Sequence, residues 1–569
     1  MFINHLYDLT TLIAILIIAS LALCGWGRLT VRYIGVPRNN SFNTIDIWIG
    51  FAAIIVIVEL LHLIYPVDWR MSLTLSTIGI LALLVLEPIK WKGLLITKTI
   101  QSYPWLVISI VSIIFVWCSL AMQSPRNYDS GLYHFQSIRW LNEYPIIKGL
   151  GNLHGRLAFN QSYFTYLALF NVSPIWNKGY AAGGLFLLLL SLSTLIEAKL
   201  YEIKKGKWLL YPLIFALGTY ASKSASPSPD LIIAMLQVVT FVLLIKLIHY
   251  DQTNSAPHLQ SAICLYVLCT TIITIKLSGA MYALSFILVS IAFSYQLIIS
   301  QKAMALKVIK LCSLAILLHL VRGIILSGAP LYPSSFGGVW SLDWAMPIDA
   351  VNSEANWIYS WARNAGHSPE EVLGNWKWFM PWLSSRNPTY LLMLGSPFLL
   401  FIIKRIQVRC FFNKPKNNYN TINIVYLPFL LSIVFWFFTA PDVRFLGLIP
   451  AIQTIFTVWL IVLHFYNKES LRYKKITTTL SSHLILLFVT ILLLIIQSRN
   501  LSLRGWQDIR QIKTEIKKTT SRLTINKPIK GDQCWNSPLP CTPYFNENLK
   551  TRGHVSEKNL KSGFSVETY

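Results

Sequence analysis

The chain has 569 residues, of which 54% are hydrophobic and 13% are charged, and its formal net charge is +25. Soluble proteins carry about 25% charged residues, so this composition excludes an ordinary soluble globular protein and predicts a membrane protein. Nucleic-acid binding is not expected despite the net charge, because no recognition motif accompanies the cations, which lie mainly in loops and in a basic tail at 499–530.

Apolar segments close to the ~20-residue length that spans a bilayer recur along most of the chain. They lack the period-two alternation of barrel strands, so we predict an all-α, polytopic transmembrane protein of about 14 spans. The multi-span part covers 1–497, with large loops at 123–176 and 328–388, and a C-terminal tail covers 498–569. The approximate span centres are Leu16, Ile55, Leu81, Ile113, Leu188, Phe215, Phe241, Val267, Ile287, Leu318, Phe398, Ile433, Phe456 and Leu487.

The short loops between the predicted spans alternate in charge, and this alternation predicts the topology. The positive-inside rule makes the basic loops cytoplasmic in a protein of the cell inner (plasma) membrane. Both termini, both large loops and the turns at 222–230 and 441–445 then face outward, since long tails translocate largely regardless of charge. The basic loops lie at 28–38, 90–98, 199–207, 302–310, 404–416 and 468–475.

The first large outward loop contains an acidic motif, Asn-Tyr-Asp-Ser-Gly-Leu-Tyr-His at 127–134, directly after the fourth span. A carboxylate at the membrane boundary is costly unless it has a task or a partner. The stretch 130–144 predicts a short interfacial helix, with Asp129 and Tyr133 on one face and His134 beside them. Asp129 is therefore either a catalytic group or the N-cap of this helix, a position that Asp also favours.

Two further outward segments carry candidate residues. Asp230 opens the seventh span, where it either complements the helix dipole or provides a second acid on the face of Asp129. The glycine-containing loop at 149–162 holds His154 and Arg156, which either meet an anionic ligand or belong to a plain surface loop.

Three cations near the outer ends of spans are unusual on this side of the membrane: Lys276, Arg322 and Arg444. Each either extends to the interface alone or helps to bind an anionic head group. Arginine suits phosphate through its planar fork, and lysine binds it as a point charge. The loop 328–388 adds seven tryptophans, which indicate interfacial anchoring first and stacking on sugar rings second.

The tail contains Cys534 and Cys541, seven residues apart with two prolines between them. This spacing favours a small disulfide loop over two free thiols, and a disulfide needs an oxidising compartment. The sequence contains no CxxC pair and no Cys/His spacing typical of a metal site.

Together these features resemble the GT-C superfamily of membrane glycosyltransferases, in which an acidic residue lies on an early external loop, and Asp129 matches that position. More spans precede the loop than the one that the superfamily usually has there, and the usual adjacent acid pair is absent. Most of the chain also resembles an uncharacterised group of bacterial multi-span proteins often placed near that superfamily, at 128–134, 149–155, 226–230, 327–333, 441–445 and 534–549.

The resemblance implies transfer of a sugar from a polyprenyl-phosphate-linked donor to a glycan, lipid or protein acceptor at the outer face of the membrane. It implies Asp129 as the catalytic base, and Asp230 and His134 are the further catalytic candidates because they are predicted to lie beside it. No cofactor is expected, because side chains can meet the lipid phosphate, although the same three residues offer an alternative divalent-metal site. The candidate substrate-binding residues are Tyr128, Tyr133, His154, Arg156, Lys276, Arg322 and Arg444.

Two other functions remain open from the sequence. An O-antigen-type polysaccharide polymerase or ligase would share the large aromatic, basic external loop, but it would depend on loop arginines more than on an early aspartate. A membrane transporter or lipid flippase is expected to show internal repeats and polar groups at mid-depth. The sequence has no clear repeat, and its charges lie at the predicted rims.

Overall fold

The computed structural model describes residues 2–36, 43–86, 104–173, 176, 178–198, 200, 206–249, 256–411, 424–466, 488–498, 501–552 and 560–566. Most of these residues are helical. The helices are Phe2–Ile34, Thr44–Leu61, Trp69–Leu86, Pro104–Ala121, Phe135–Glu143, Tyr163–Phe170, Gly179–Glu197, Lys207–Gly218, Pro229–His249, Ala256–Ile275, Ala280–Ser300, Lys302–Ser327, Ile348–Arg363, Pro369–Val372, Phe379–Ser384, Pro388–Phe411, Tyr426–Thr439, Val443–Leu446, Ile449–Tyr466 and Phe488–Ser498.

Within the described ranges, eight helices are long and apolar enough to cross a membrane, and four shorter apolar helices accompany them. The chain is therefore a helical membrane protein, as its composition predicted. Thirteen of the predicted span centres fall inside helices, and Leu487 lies outside the described residues. The basic loops at 90–98 and 468–475 also lie outside them. The number of crossings and their orientation stay predictions.

The first three helices pack closely because glycines line their contacts. A Cβ atom at Gly25 would overlap the backbone of Gly79 in the third helix, and one at Gly50 would overlap the backbone of Leu23 in the first. Small residues let helix backbones approach where lipid provides no hydrophobic driving force. These glycines therefore fix the position of the N-terminal helices.

The helix Pro229–His249 lies at the centre of the bundle. Its span is 89% buried, and it packs against the helices Ala256–Ile275 and Gly179–Glu197. Its own residues are apolar on every face, as expected for a helix that is buried on all sides. The acid at its start, Asp230, is therefore held in a fixed place relative to the surrounding segments.

Segments predicted to face outward lie together at one end of the bundle. The Gly149 amide donates to the carbonyl oxygen of Ile325 at 2.8 Å, and the Phe564 amide in the tail donates to that of Lys148 at 2.9 Å. At the other end, Lys307 Nζ donates to the carbonyl oxygen of Tyr33 at 2.7 Å. These contacts place the two ends of the helix Lys302–Ser327 beside segments of different predicted sets, while the topology as a whole stays a prediction.

Among the described residues, the strands of the fold lie in the tail. Strands Thr514–Lys518 and Thr524–Pro528 pair antiparallel, with Thr514 opposite Pro528. Strands Leu549–Thr551 and Phe564–Val566 form a second antiparallel pair, with Leu549 opposite Val566. The tail thus folds as a small β-containing unit against loops that are predicted to face outward.

Candidate active site

The loop that carries Asp129 has a local structure of its own. Asn127 Oδ1 accepts a hydrogen bond from the Asp129 amide at 2.9 Å, and a π-helical turn, Ser130–His134, leads into the helix Phe135–Glu143. The predicted helix over 130–144 is thus present with a wider first turn. Asp129 occupies the N-cap position, but its side chain makes no capping hydrogen bond, so its carboxylate is directed to other partners.

Two arginines from distant parts of the chain hold the Asp129 carboxylate. Arg156 Nη1 donates to Oδ1 at 3.3 Å, and Arg444 Nη1 donates to Oδ2 at 2.9 Å. Each arginine has a second acid, because Arg156 Nε lies 3.3 Å from Glu354 Oε1 and Arg444 Nε lies 3.4 Å from Asp442 Oδ1. The Asp129 side chain is 17% exposed and that of Arg444 is 42% exposed, so this ion-pair cluster opens to solvent.

The surrounding acids further stabilise the charged form of Arg444, which is protonated at neutral pH in any case. Burial lowers the pKa of its guanidinium group, but the carboxylates of Asp129, Asp442 and Asp230 outweigh burial and hold that pKa above its ordinary value. Asp442 also accepts a hydrogen bond from the Arg444 amide at 2.8 Å, as the N-cap of the short helix Val443–Leu446. The backbone at this turn therefore fixes a permanent cation beside Asp129.

A second ion pair, between Asp230 and Lys276, lies close to the first cluster. Lys276 Nζ donates to Asp230 Oδ1, and both side chains are more than four-fifths buried. Lys276 stands at the break after the helix Ala256–Ile275, and its Nζ lies 4.5 Å from the centre of the Phe445 ring. Because Phe445 follows Arg444 in the chain, the turn at 441–445 joins the two ion pairs.

Tyr133 and His134 lie between these charged groups. The two rings are 4.4 Å apart, and the charges of Asp129, Asp230 and Arg444 all act on both. Burial lowers the pKa of His134 to about 4 against the opposing effect of the acids. His134 is thus a neutral imidazole at pH 7, able to orient its neighbours rather than to bind an anion by charge.

Other predicted substrate-binding residues have separate surroundings. The Tyr128 hydroxyl donates to Asp532 in the tail. His154 is buried with its ring 5.3 Å from that of Tyr544, and burial together with the charge of Arg156 lowers its pKa to about 3. His154 therefore supplies no positive charge for an anionic ligand at neutral pH.

Arg322 does not join the Asp129 cluster. It is 3% exposed, with its Nε 3.4 Å from Glu59 Oε1, and its Nη1 donates to His62 Nδ1 at 3.1 Å. Arg322 and Arg156 both line a cavity of about 50 Å³. Glu59, the acid that pairs with Arg322, belongs to the neighbouring helix Thr44–Leu61, so this ion pair connects two helices inside the bundle.

Sequence reasoning missed three acids that complete these networks: Glu59, Glu354 and Asp442. Glu59 carried a signal, since an acid in the last turn of an apolar span is costly and indicates a partner. Glu354 lies in a polar loop helix, where an acid is ordinary.

In the tail, Cys534 and Cys541 form the disulfide that their spacing predicted.

The candidate metal ligands do not form a metal site. Across the described ranges, no group of three or more His, Cys, Asp or Glu side chains is arranged to hold a metal ion. Asp129 and Asp230 are each occupied by cationic side chains instead. The donor set offered by Asp129, Asp230 and His134 therefore does not fit a divalent ion in this arrangement.

Comparison with known proteins gives a family but no activity. No curated protein and no solved structure matches the chain. The model of one family, described as a domain of unknown function (DUF8201), matches residues 9–450. This match covers more than three-quarters of the chain, including Asp129, Arg156, Asp230 and Arg444, and leaves the tail outside. The chain belongs to this DUF8201 family.

Proposed function

We propose that the protein is an integral membrane glycosyltransferase of GT-C type. It moves a sugar from a polyprenyl-phosphate-linked donor to a glycan, lipid or protein acceptor at the outer face of the inner (plasma) membrane. The observation that carries the proposal is the Asp129 carboxylate held by Arg156 and Arg444 at an exposed edge of the bundle. The partners implied are the donor, the acceptor and the surrounding membrane lipids.

The arginine pair suits a phosphate group. A guanidinium fork matches the oxygens of phosphate as well as those of carboxylate, so the Asp129 carboxylate occupies the place that a donor phosphate would take. Arg444 is the more accessible of the two arginines, with 42% of its side chain exposed against 30% for Arg156. An incoming phosphate therefore exchanges with Asp129 at Arg444 first.

This exchange supplies both groups that the reaction needs. Once the arginines hold the phosphate, the Asp129 carboxylate is released beside it as a general base. The acceptor oxygen forms the new bond to the anomeric carbon of the sugar while its proton passes to Asp129. The bond between that carbon and the phosphate oxygen breaks, and its electron pair leaves with polyprenyl phosphate. Arg156 and Arg444 stabilise the negative charge that develops there.

Lys276 and Asp230 take supporting roles in this scheme. Lys276 lies on the ring of Phe445, beside Arg444, so its ammonium group adds positive potential near the leaving phosphate. Asp230 neutralises Lys276 when the site is empty and is the second candidate base. The neutral, buried His134 between the two ion pairs acts through packing and hydrogen bonding rather than as the primary base.

The proposal is tested in membrane vesicles from the natural host. Right-side-out vesicles receive labelled polyprenyl-phosphate sugars in their outer leaflet, with and without the protein. A transferase converts the donor into labelled product in the leaflet where it was supplied. A flippase or transporter moves the intact donor instead, and detection of movement without conversion would overturn the proposal.

A further inference from the structure

We propose that the disulfide loop 532–541 in the tail is a positioning element of the Asp129 site. The loop touches the chain on both sides of Asp129, although it does not touch the carboxylate. This inference goes beyond the proposed function, because it concerns how the site is built whatever group Asp129 handles. It rests on the proposed function only for its activity readout.

The strongest contact joins Trp535 to the π-helical turn. The Trp535 amide donates to the carbonyl oxygen of Gly131 at 2.7 Å. The indole ring lies so close to Gly131 that a Cβ atom there would come within 2.5 Å of it, and the ring stacks on Phe135. Only glycine leaves room for this tryptophan two residues after Asp129.

The next turn of the chain is held by side chains. Gln136 Nε2 donates to the carbonyl oxygens of Trp535 and Ser537 at 3.0 and 2.9 Å. Arg139 Nη1 donates to the carbonyl oxygen of Asn536 at 2.7 Å. Three consecutive carbonyl oxygens of the loop thus accept hydrogen bonds from side chains of one helix, which fixes the register of the loop against the helix.

The other side of Asp129 is held as well. Gln533 Nε2 donates to the carbonyl oxygen of Tyr128 at 2.7 Å, and the Tyr128 hydroxyl donates to Asp532. Tyr128, directly before Asp129, and Gly131, two residues after it, are therefore both hydrogen-bonded to the loop. Movement of the loop would carry the carboxylate away from Arg156 and Arg444.

The loop itself is made rigid by its covalent closure and its backbone. Cys534 and Cys541 form a buried disulfide, which reduces the freedom of the segment between them. Trp535 adopts a φ of 47°, which is uncommon for a bulky residue and persists only where the surroundings over-determine it. Asn526 in the strand Thr524–Pro528 donates its amide hydrogen to Pro540, which attaches the loop to the tail.

This arrangement has a consequence for where the site becomes complete. A disulfide forms in an oxidising compartment, so in the predicted topology the loop reaches its closed form after the tail has crossed the membrane. The family model ends at residue 450, and the tail therefore adds a part to the site from outside the matched region. Assembly of the Asp129 site is thereby coupled to oxidation of the tail.

Hydrogen–deuterium exchange on the purified full-length protein tests the inference. We compare oxidised protein, protein reduced with dithiothreitol, the double variant Cys534→Ser/Cys541→Ser, Trp535→Ala and Trp535→Phe. Loss of several hydrogen bonds and the ring contact should raise exchange in 126–136 by about tenfold or more. Trp535→Phe should lie between wild type and Trp535→Ala, because it keeps the ring, and the helix Gly179–Glu197 should not change.

A matched pair of glycine variants separates the contact from general damage. Gly131→Ala should raise exchange in 126–136, because the new methyl group displaces the indole, whereas Gly395→Ala should not, since nothing lies within 4 Å of that position. Unchanged exchange in 126–136 after reduction, or an equal rise in all segments, would overturn the inference.

An activity measurement adds a readout that a general loss of stability would not produce, namely a change in kcat without a change in KM. Trp535→Ala should lower kcat about tenfold or more with little change in the KM for donor, because Arg444 and Lys276 are not attached to the loop. A wild-type protein that transfers no sugar but shows the local exchange change would refute the glycosyltransferase proposal and leave the positioning role supported.

Discussion

Asp129→Asn should reduce activity far more than stability. The variant weakens two charge-assisted hydrogen bonds, at 3.3 Å to Arg156 and 2.9 Å to Arg444. Such bonds contribute about 1.5–3 kcal/mol when well shielded, but both arginines are partly exposed and solvent screens them. Since asparagine keeps one acceptor oxygen, we expect a loss of about 1–2 kcal/mol in unfolding free energy.

The effect on catalysis has a different size. Removal of a general base typically costs about 10²–10⁴ in rate, which corresponds to about 3–5 kcal/mol in the activation barrier. The assay is sugar transfer in membranes, normalised to folded protein by fluorescence-detected size-exclusion chromatography. We expect at least a hundredfold loss of turnover with a lowering of Tm by only a few degrees.

Asp442→Asn is the matched control for this variant. Asp442 also lies against Arg444, at 3.4 Å, and asparagine keeps its capping acceptor while removing its charge. We expect a fall in turnover of less than about fivefold, because Asp442 does not touch the reacting groups in the proposed mechanism. Wild-type turnover in Asp129→Asn, or a loss that matches the loss of folded protein, would refute the role of Asp129 as the base.

Four further outcomes follow from the same arrangement. Arg444→Ala should raise the KM for donor and lower kcat, because phosphate contacts act in both bound and transition states, and steady-state kinetics checks both. Asp230→Asn or Lys276→Met alone should destabilise the protein by up to about 3 kcal/mol by leaving one charge unpaired, and thermal unfolding should show that the double variant costs less than the sum. Burial lowers the pKa of His134 to about 4, so the folded protein loses stability relative to the unfolded chain as pH falls from the unfolded pKa of 6.5 towards 4. The total loss is about 3 kcal/mol. His134→Gln should therefore make the melting temperature depend less on pH in that range. A membrane-impermeant thiol reagent should label cysteines placed in 340–380 from outside, and labelling of the basic loops instead would invert the predicted topology.

The sequence was enough to propose Asp129 as a candidate site residue, but not to predict its contacts. Asp129 attracts attention because a carboxylate beside an apolar span is costly without a partner. Its pairing with Arg444, which is 315 residues away, depends on tertiary packing that no local pattern encodes. The choice between helix capping and ion pairing for Asp129 also depends on the tertiary structure, since both roles use the same residue type at the same position.

Two predicted substrate-binding residues, Arg322 and His154, have surroundings that the sequence did not indicate, for a common physical reason. Arg322 and Arg444 look alike in sequence, as single arginines near span ends, but Arg322 meets Glu59 inside the bundle and Arg444 reaches the exposed edge. His154 suggested an anion site by residue type, whereas burial keeps it neutral. Burial and charge pairing decide these roles, and both arise from the packing of segments that are far apart in the chain.

The structure of the tail was likewise predicted only in part. The spacing of Cys534 and Cys541 was sufficient to favour a disulfide. The packing of Trp535 on Gly131 had no signal in the sequence, because a glycine in a loop is ordinarily explained by flexibility. The strands of the tail were not predicted, although the alternation of Thr, Ile and charged residues at 514–518 is compatible with a strand at a surface.

The most direct test of the central claim is the stoichiometry of donor consumption by the purified protein in proteoliposomes. The vesicles contain polyprenyl-phosphate sugars labelled in the sugar, together with acceptor from the natural host. Wild type should release one polyprenyl phosphate for each sugar transferred, and Asp129→Asn should release almost none while still binding donor. Donor that stays intact with the folded wild-type protein, or release of polyprenyl phosphate at an equal rate by Asp129→Asn, would contradict the account.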